Sequence, residues 1–431
     1  MKQILKLAVP NILTNLSVPL LSSVDTAVVG HLDKISYLGA IAIGSMIFNF
    51  IYWGFGFLRM GTTGMTAIGF GKRNKTETAS IGGRAMLIAV TAGLLLILLR
   101  TPINDLSFYL VNASPEVEKY ASQYFYIRIF AAPATLAIYV FHGWFLGMQN
   151  AKYPLILLVT VNLLNIFFNL LFIYHFGMKS DRVAWGTLFA QYSGLLLAIF
   201  LYLKKYSDQL KFLKRDSVFH IAELKRFFKI NRDIFLRTLA LIFTLSFFTA
   251  ESARFGDNIL AANTILLQLW IFLSYAVDGF AFAGESLVGK YKGEKNSEIL
   301  KGIVKKLFLA GAIIAIFFMI VYLIAEKPLL YLFTNDKAVV ELAMTYFLWT
   351  ALTPLINSIS FLWDGIYIGA TATAPMRNTM IFSAVFIFLP TYYLLRASMG
   401  NEALWLAMVM FMVTRAIGLT ITSKKYIFNV G

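Results

Sequence analysis

Long apolar stretches alternate with short polar connections along the whole chain. Each stretch has the length of a membrane-spanning helix, which needs about 20 residues to cross a hydrocarbon core of roughly 30 Å. The alternating segments of about ten residues that mark a transmembrane barrel do not occur. The pattern predicts an all-α integral membrane protein with twelve transmembrane helices, centred roughly on Pro19, Phe50, Leu94, Ala137, Asn165, Leu195, Phe243, Leu273, Ile314, Leu352, Phe386 and Phe411.

One basic, amphipathic segment interrupts the series of spans, at residues 204–231. It separates six spans from six more, so we predict an N-lobe over 1–203, a cytoplasmic amphipathic linker over 204–231 and a C-lobe over 232–431. The apolar residues of the linker are expected to lie along the inner membrane surface.

The two halves resemble each other in sequence. Three pairs of segments match in order at an offset of about 220 residues, starting at Leu38 and Leu260, at Thr66 and Ser286, and at Gly143 and Gly365. Weak internal repeats of this kind are common in transporters. They predict two pseudo-symmetric six-helix lobes related by an axis along the membrane normal, with a cleft that opens alternately to either side.

Composition supports a membrane protein: 59% of the residues are hydrophobic and 14% are charged. The net charge of +16 does not indicate a nucleic-acid partner, because most of the 38 Lys and Arg residues lie at the termini and on alternate loops. By the positive-inside rule this places both termini in the cytoplasm, in a multi-pass protein of the inner (plasma) membrane. The lipid bilayer is then the principal partner, and we expect a monomer.

Several kinds of chemistry are disfavoured by the sequence. The chain has no cysteine and four scattered histidines, so neither a disulfide framework nor a histidine metal centre is expected. Phosphate-binding loops, HExxH and nucleophile elbows are missing, so we expect no enzyme activity and no cofactor beyond a coupling ion, H⁺ or Na⁺.

The first span carries a carboxylate, Asp25, together with two prolines that bend or break a helix, Pro10 and Pro19. An acid inside a spanning helix costs roughly 2.5–3.5 kcal/mol on insertion scales, so it usually faces protein or water. Asn11 and Asn15 fall on the same side of the helix as Asp25. This span is therefore the first candidate for a mechanism.

The fifth span places three amides on one helical face, from Asn162, Asn165 and Asn169. Such amides either join helices by hydrogen bonds or serve a function, and three on one stripe favour function. Thr187, on the sixth span, could add a hydroxyl oxygen. With Asp25 these groups could hold Na⁺, or they could surround a carboxyl that takes up a proton, and the residues leave both interpretations open.

The second half has its own intramembrane acids, Glu251, Asp278, Glu285 and Asp364. Asp278, Glu285 and Asp364 are second-lobe candidates for ion coupling, and the candidate partners of these acids are Arg59, Arg254 and Arg415. For Glu285 and Asp364 we favour a structural role near the end of a span. We interpret His142 on the fourth span as a packing residue.

Five motifs resemble those of the MATE (multidrug and toxic compound extrusion) family, in its DinF branch. They are VDTAVVGHLD from Val24, FLRMGTTGMTA from Phe57, NRDIFLR from Asn231, YAVDGFAFAGE from Tyr275 and DGIYIGAT from Asp364, followed by MRN. The resemblance covers nearly the whole chain. It implies two six-helix lobes and a cation-coupled antiporter that exports amphipathic or cationic compounds.

The resemblance also implies roles for individual residues. Asp25 matches the coupling acid of the branch, and Pro10 matches the proline at which the first helix bends when the acid is protonated. Asn165 and Thr187 match polar residues of the fifth and sixth spans. Asn169 departs from the branch, which usually has Asp there, so this lobe loses one anionic ligand and keeps Asp25 as its obvious titrating group.

Three other functions compete with an antiporter. A lipid-linked precursor flippase of the same superfamily would need a basic cavity for a pyrophosphate, yet membrane-embedded arginines are few. A membrane-embedded lipid-modifying enzyme would need a cluster of acids, histidines or a nucleophile at one membrane face. A passive channel fits a two-lobe repeat with proline-interrupted helices poorly.

Overall fold

The chain folds into two compact units in a computed structural model that describes residues 1–15, 35–111, 113–174 and 181–429. Unit N comprises residues 13–227, and unit C comprises residues 1–12 together with 228–431. The first twelve residues therefore pack with the second half of the chain, although the sequence pattern groups them with the first. Helix α1 covers residues 2–15, and its helical conformation continues through Pro10.

Unit N consists of helices that follow one another closely along the chain. Its helices are α2 (Ile35–Gly54), α3 (Phe57–Gly71), α4 (Lys75–Leu98), α5 (Arg100–Leu110), α6 (Pro115–Arg128), α7 (Ala132–Gly147), α8 (Lys152–Tyr174), α9 (Asp181–Tyr206) and α10 (Arg215–Val218). Helix α7 packs against α3 and α4, α2 packs against α6, and α8 pairs with its neighbour α9. The last pair carries the candidate site.

Unit C contains longer helices than unit N. They are α11 (Ile221–Arg254), which begins in unit N, α12 (Asp257–Gly293), α13 (Ser297–Ile324), α14 (Glu326–Tyr331), α15 (Lys337–Gly369), α16 (Thr373–Phe382), α17 (Leu389–Met399) and α18 (Asn401–Tyr426). Helix α15 is central, because α12, α13 and α18 all pack on it. The start of α1 also belongs here, since the Tyr291 hydroxyl donates to Gln3 Oε1 at 2.8 Å.

Eleven helical stretches within the described ranges are long and apolar enough to cross a bilayer. Large apolar side chains remain exposed along them, for example Leu196, Phe200 and Phe317, as expected for surfaces that face lipid. The first predicted span continues from α1 into residues 16–34, which lie outside the described ranges. The all-α membrane fold that the sequence predicts is confirmed.

The internal repeat is visible in the turns, at an offset of 222 residues. Arg73 and Lys295, which are 222 positions apart, adopt left-handed backbone conformations with φ of 55° and 54°. The next residue caps a helix in both units: Asn74 Oδ1 accepts from Glu77 N at 3.0 Å, and Asn296 Oδ1 accepts from Ile299 N at 3.0 Å. The two halves therefore share backbone geometry as well as sequence.

The central helix crossing of each unit repeats with the same offset. In unit N, a Cβ added to Gly147 on α7 would lie 2.8 Å from the Thr63 carbonyl oxygen of α3. In unit C, a Cβ on Gly369 would lie 2.9 Å from Glu285 Cα of α12. Glycine is needed at both positions because the helix backbones touch there.

The eleventh predicted span contains a π-helical segment, Ser383–Phe388, between α16 and α17. Pro390 follows it, in the first turn of α17. Proline has no N–H to donate and its ring crowds the carbonyl of the preceding turn. A widened turn before the proline accommodates both effects.

The predicted linker is largely structured. A 3₁₀ helix, Ser207–Phe212, and α10 precede α11, which begins at Ile221 and so takes up the end of the predicted linker. Arg84 of α4, itself buried, donates to the carbonyl oxygens of Ser217 and Val218. These bonds fix the end of α10 to α4.

Candidate ion-coupling site

A chain of side-chain hydrogen bonds joins α8 and α9 in unit N. Asn169 Nδ2 donates to Asn165 Oδ1 at 3.1 Å, and Asn165 Nδ2 donates to Thr187 Oγ1 at 3.0 Å. The chain ends where the Thr187 hydroxyl donates to the Val183 carbonyl at 2.9 Å. The contact between the fifth and sixth spans that the sequence predicts is therefore present.

The polar chain is buried, and small neighbours make room for it. Asn165 and Asn169 are 7% and 1% exposed. Gly186 on α9 lies directly against the Asn169 amide, so that a Cβ at position 186 would overlap Asn169 Oδ1. A buried amide left without partners costs about 1–3 kcal/mol, and this packing gives both the oxygen and the nitrogen of Asn165 a partner.

The cluster can change its polarity without moving its backbone. Rotating an asparagine amide about its last side-chain bond exchanges its oxygen and its nitrogen. With the Thr187 hydroxyl, the two amides can therefore present either hydrogen-bond donors or three neutral oxygens. A hard monovalent cation binds to oxygens, and a negative charge would have to come from another residue.

The other predicted members of this site lie apart from the cluster or outside the described residues. Asn162 is half-buried and makes no side-chain hydrogen bond within the described part of the chain. Asp25 falls in the segment 16–34, which lies outside the residues that the structure describes. Its proximity to the asparagines therefore stays a prediction. The same holds for a Na⁺ site formed by Asp25, Asn165, Asn169 and Thr187.

Of the three second-lobe candidates, the structure gives charged partners for Asp364. Asp364 on α15 is 6% exposed and accepts hydrogen bonds from two arginines, Arg415 at 2.6 Å and Arg237. The structural ion pair that the sequence favours for Asp364 is therefore present, with Arg415 as one partner. Glu285 is buried and Asp278 is half-buried on α12, and coupling through either stays a prediction.

Two further polar networks lie in unit C, and of their contacts the sequence offered only Arg254, as a candidate partner for an intramembrane acid. The side chains of Asn263 and Asn401 bond reciprocally, at 2.7 and 3.1 Å, and Trp405 Nε1 donates to Asn263 at 2.9 Å. Glu251 accepts from the Tyr392 hydroxyl at 2.6 Å and pairs with Arg254 at 2.8 Å. Partners 138 to 142 residues apart leave no periodic signal.

Clusters of three or more His, Cys, Asp or Glu side chains suited to a metal do not occur within the ranges that the structure describes. The described polar groups are instead amides, hydroxyls and arginine–carboxylate pairs inside helix bundles.

Comparison with known proteins shows which family the chain resembles. The family model MatE matches residues 10–171 and 235–394, so both halves match. DNA damage-inducible protein F of Escherichia coli (strain K12) is 36% identical, over 99% of this chain and 92% of its own length. A probable multidrug resistance protein NorM of Thermotoga maritima is 21% identical, over 96% of this chain and 90% of its own.

The fold agrees with these similarities. A solved structure of a multidrug resistance MATE family transporter in an outward-facing conformation superposes with a TM-score of 0.88 and 19% identity, over 100% of this chain and 96% of the other. The molecule is thus a multi-pass, all-α membrane protein with the fold of that transporter. It belongs to the MATE family, and the resemblance to the DinF branch is confirmed.

Proposed function

We propose that this protein is an antiporter that exports amphipathic or cationic organic compounds in exchange for H⁺ or Na⁺. Membership of the MATE family supports export by alternating access. At the level of residues, the proposal depends on one observation, the buried chain Asn169–Asn165–Thr187 between α8 and α9. Such a chain can respond to a nearby charge by rotating its amides.

In the proposed cycle Asp25 is the group that changes charge. A proton or Na⁺ from outside neutralises its carboxylate, and the amides of Asn165 and Asn169 rearrange around it. The first span then bends near Pro10, and the bound compound is released outside. The ion leaves to the cytoplasm in the inward-open state, which returns Asp25 to its charged form.

The proposed membrane location and orientation rest on the distribution of basic residues. Basic residues at the termini and on alternate loops support a multi-pass orientation in the inner (plasma) membrane with both termini cytoplasmic. We propose that the protein works there as a monomer.

The deciding measurement is efflux from proteoliposomes that contain purified protein and a fluorescent organic cation. An imposed proton gradient and, separately, a sodium gradient are applied to the wild type and to Asp25→Asn. We expect one gradient to drive transport by the wild type and the variant to lose gradient-driven transport, because its amide cannot change charge. The gradient that works identifies the coupling ion.

Asp208→Asn is the matched control, since Asp208 is an exposed acid paired with Lys211 in the 3₁₀ helix. It should transport like the wild type. Normal gradient-driven efflux by a folded Asp25→Asn protein would refute the role of Asp25. Absence of efflux by the wild type under either gradient would refute the antiporter itself.

A further inference from the structure

Three charged side chains meet inside unit C, from three helices. Arg237 of α11 and Arg415 of α18 both donate to one oxygen of Asp364 on α15, Oδ2, the second of them at 2.6 Å. Arg415 is 1% exposed, Asp364 6% and Arg237 8%. We call these residues the charge trio.

The charge trio carries one positive charge more than it can compensate. Arginine stays protonated in proteins, so two cations share a single carboxylate. No second carboxylate lies within 4.0 Å of either guanidinium among the residues that the structure describes. The neighbouring acid on α11, Asp233, is occupied by Arg377 and Arg232. An uncompensated buried charge is expensive, which calls for a counter-charge.

The guanidinium groups also have donors that are poorly used. Each arginine binds Asp364 through a single nitrogen, whereas arginine commonly binds a carboxylate through two. Arg237 Nε is buried and has no acceptor among the described residues. Arg415 Nη1 donates to Met412 Sδ at 3.0 Å, and a thioether is a weak acceptor. Asp364 Oδ1 is likewise buried without a partner among the described residues, so the case for an anion rests on the surplus charge, and the unused donors of Arg237 and Arg415 are the groups that would bind it.

The repeat shows that the fold does not require these charges. Immediately before the matched segments GWFLG and GIYIG stand His142 in unit N and Asp364 in unit C. The crossing of α7 with α3 in unit N therefore forms without a carboxylate at the position that corresponds to Asp364. A charged trio in unit C then needs a reason other than packing.

We propose that the charge trio binds a small monovalent inorganic anion, with chloride as the physiological ligand. The anion lies on the arginine side of Asp364 and accepts hydrogen bonds from Arg237 and Arg415. It balances the surplus charge of unit C. This site is independent of the ion coupling proposed for unit N.

The proposal is tested by titrating chloride against gluconate, at constant ionic strength and constant Na⁺, while thermal unfolding of the purified protein is followed in a nonionic detergent. A ligand that binds the folded state alone raises the unfolding temperature with a dependence that tracks its occupancy. We expect the wild type to show such a chloride dependence. Bromide should replace chloride, and an anomalous-scattering peak beside Arg237 and Arg415 should appear in crystals grown with bromide.

Two substitutions change the charge count in opposite directions. Arg237→Gln leaves one arginine paired with one carboxylate, so it should fold and lose the chloride dependence. Asp364→Asn leaves two arginines without a carboxylate, so its half-saturating chloride concentration should fall by at least about tenfold. Arg254→Gln removes an exposed arginine of the same unit and should respond like the wild type.

The order Asp364→Asn, wild type, Arg237→Gln in chloride affinity is what the anion site requires. Equal chloride responses in the wild type and in Arg237→Gln would overturn the proposal, as would a wild type that does not respond. If Asp364→Asn does not fold, the chloride responses of the wild type and Arg237→Gln still decide whether the anion site exists.

Discussion

At the helix crossing of unit N, Gly143 follows His142, and at the matching crossing of unit C, Gly365 follows Asp364. The contacts are alike, because an added Cβ at either glycine would run into a backbone carbonyl, that of Arg59 in one unit and of Ala281 in the other. The residues in front of the glycines differ. His142 Nε2 is buried without a hydrogen-bond partner in the described residues, whereas Asp364 binds two arginines.

The comparison separates the backbone features that both units share from the buried polar side chains in which they differ. Glycines, left-handed turn residues and asparagine caps recur with an offset of 222 residues, from Arg73 to Lys295 and from Asn74 to Asn296. The buried polar networks differ between the units. Unit N has the amide chain of Asn165 and Asn169, while unit C has the amide pair of Asn263 and Asn401 and, in addition, the charge trio. The shared backbone thus supports two kinds of polar interior.

The largest expected difference between the units concerns His142 and Asp364. In gluconate, Asp364→Asn should destabilise the protein by about 3–5 kcal/mol, because it leaves buried arginines without a carboxylate. His142→Asn should cost about 1 kcal/mol, since no hydrogen bond to a described residue is lost. Unfolding by SDS in mixed micelles measures both. Equal losses would show that the charge of Asp364 does not distinguish the units.

The next largest effect, the loss of stability when a glycine at a helix crossing is replaced, should be the same in both units. Gly147→Val and Gly369→Val should each destabilise by about 1–3 kcal/mol or more, because the new side chain meets the backbone of the facing helix. Gly302→Ala is the control, since a Cβ there meets nothing within 4 Å. It should stabilise α13 by roughly 0.5–1 kcal/mol. Tolerance of valine at one of the two crossings would mean that the crossings are not equivalent.

The smallest effect concerns the helix caps. Asn74→Ala and Asn296→Ala should each cost about 1 kcal/mol, because one amide at the start of α4 or α13 loses its acceptor. Hydrogen exchange should accelerate at Glu77 in the first variant and at Ile299 in the second. Protection that survives in one variant would show that water or another group caps that helix.

Much of this architecture is predictable because it depends on local or repeated patterns. Apolar runs of spanning length define the helices, and the match of GWFLG with GIYIG places the glycine crossings. The contact of Asn165 with Thr187 was predictable as well. Their helices follow one another along the chain, and consecutive helices usually pack together.

The unpredicted features join residues far apart in sequence. Arg237 reads as one more basic residue near the start of a span, yet it pairs with Asp364, 127 residues away. Asn263 and Asn401 are equally remote from each other. A comparison of the halves position by position offers a usable signal, because His142 in the first half corresponds to Asp364 in the second. A pattern that is neutral in one half and charged in the other marks a site that only one half uses.

The π-helical segment Ser383–Phe388 has a consequence for how the second half diverged from the first. A π-bulge holds one residue more than the regular helix around it, and each residue turns a helix by about 100°. Everything downstream is therefore rotated by that angle, which helps bring Tyr392 to face inward, 2% exposed and bonded to Glu251. A single inserted codon can in this way exchange the entire set of side chains that a helix turns inward, while its ends and its lipid-facing length stay almost unchanged.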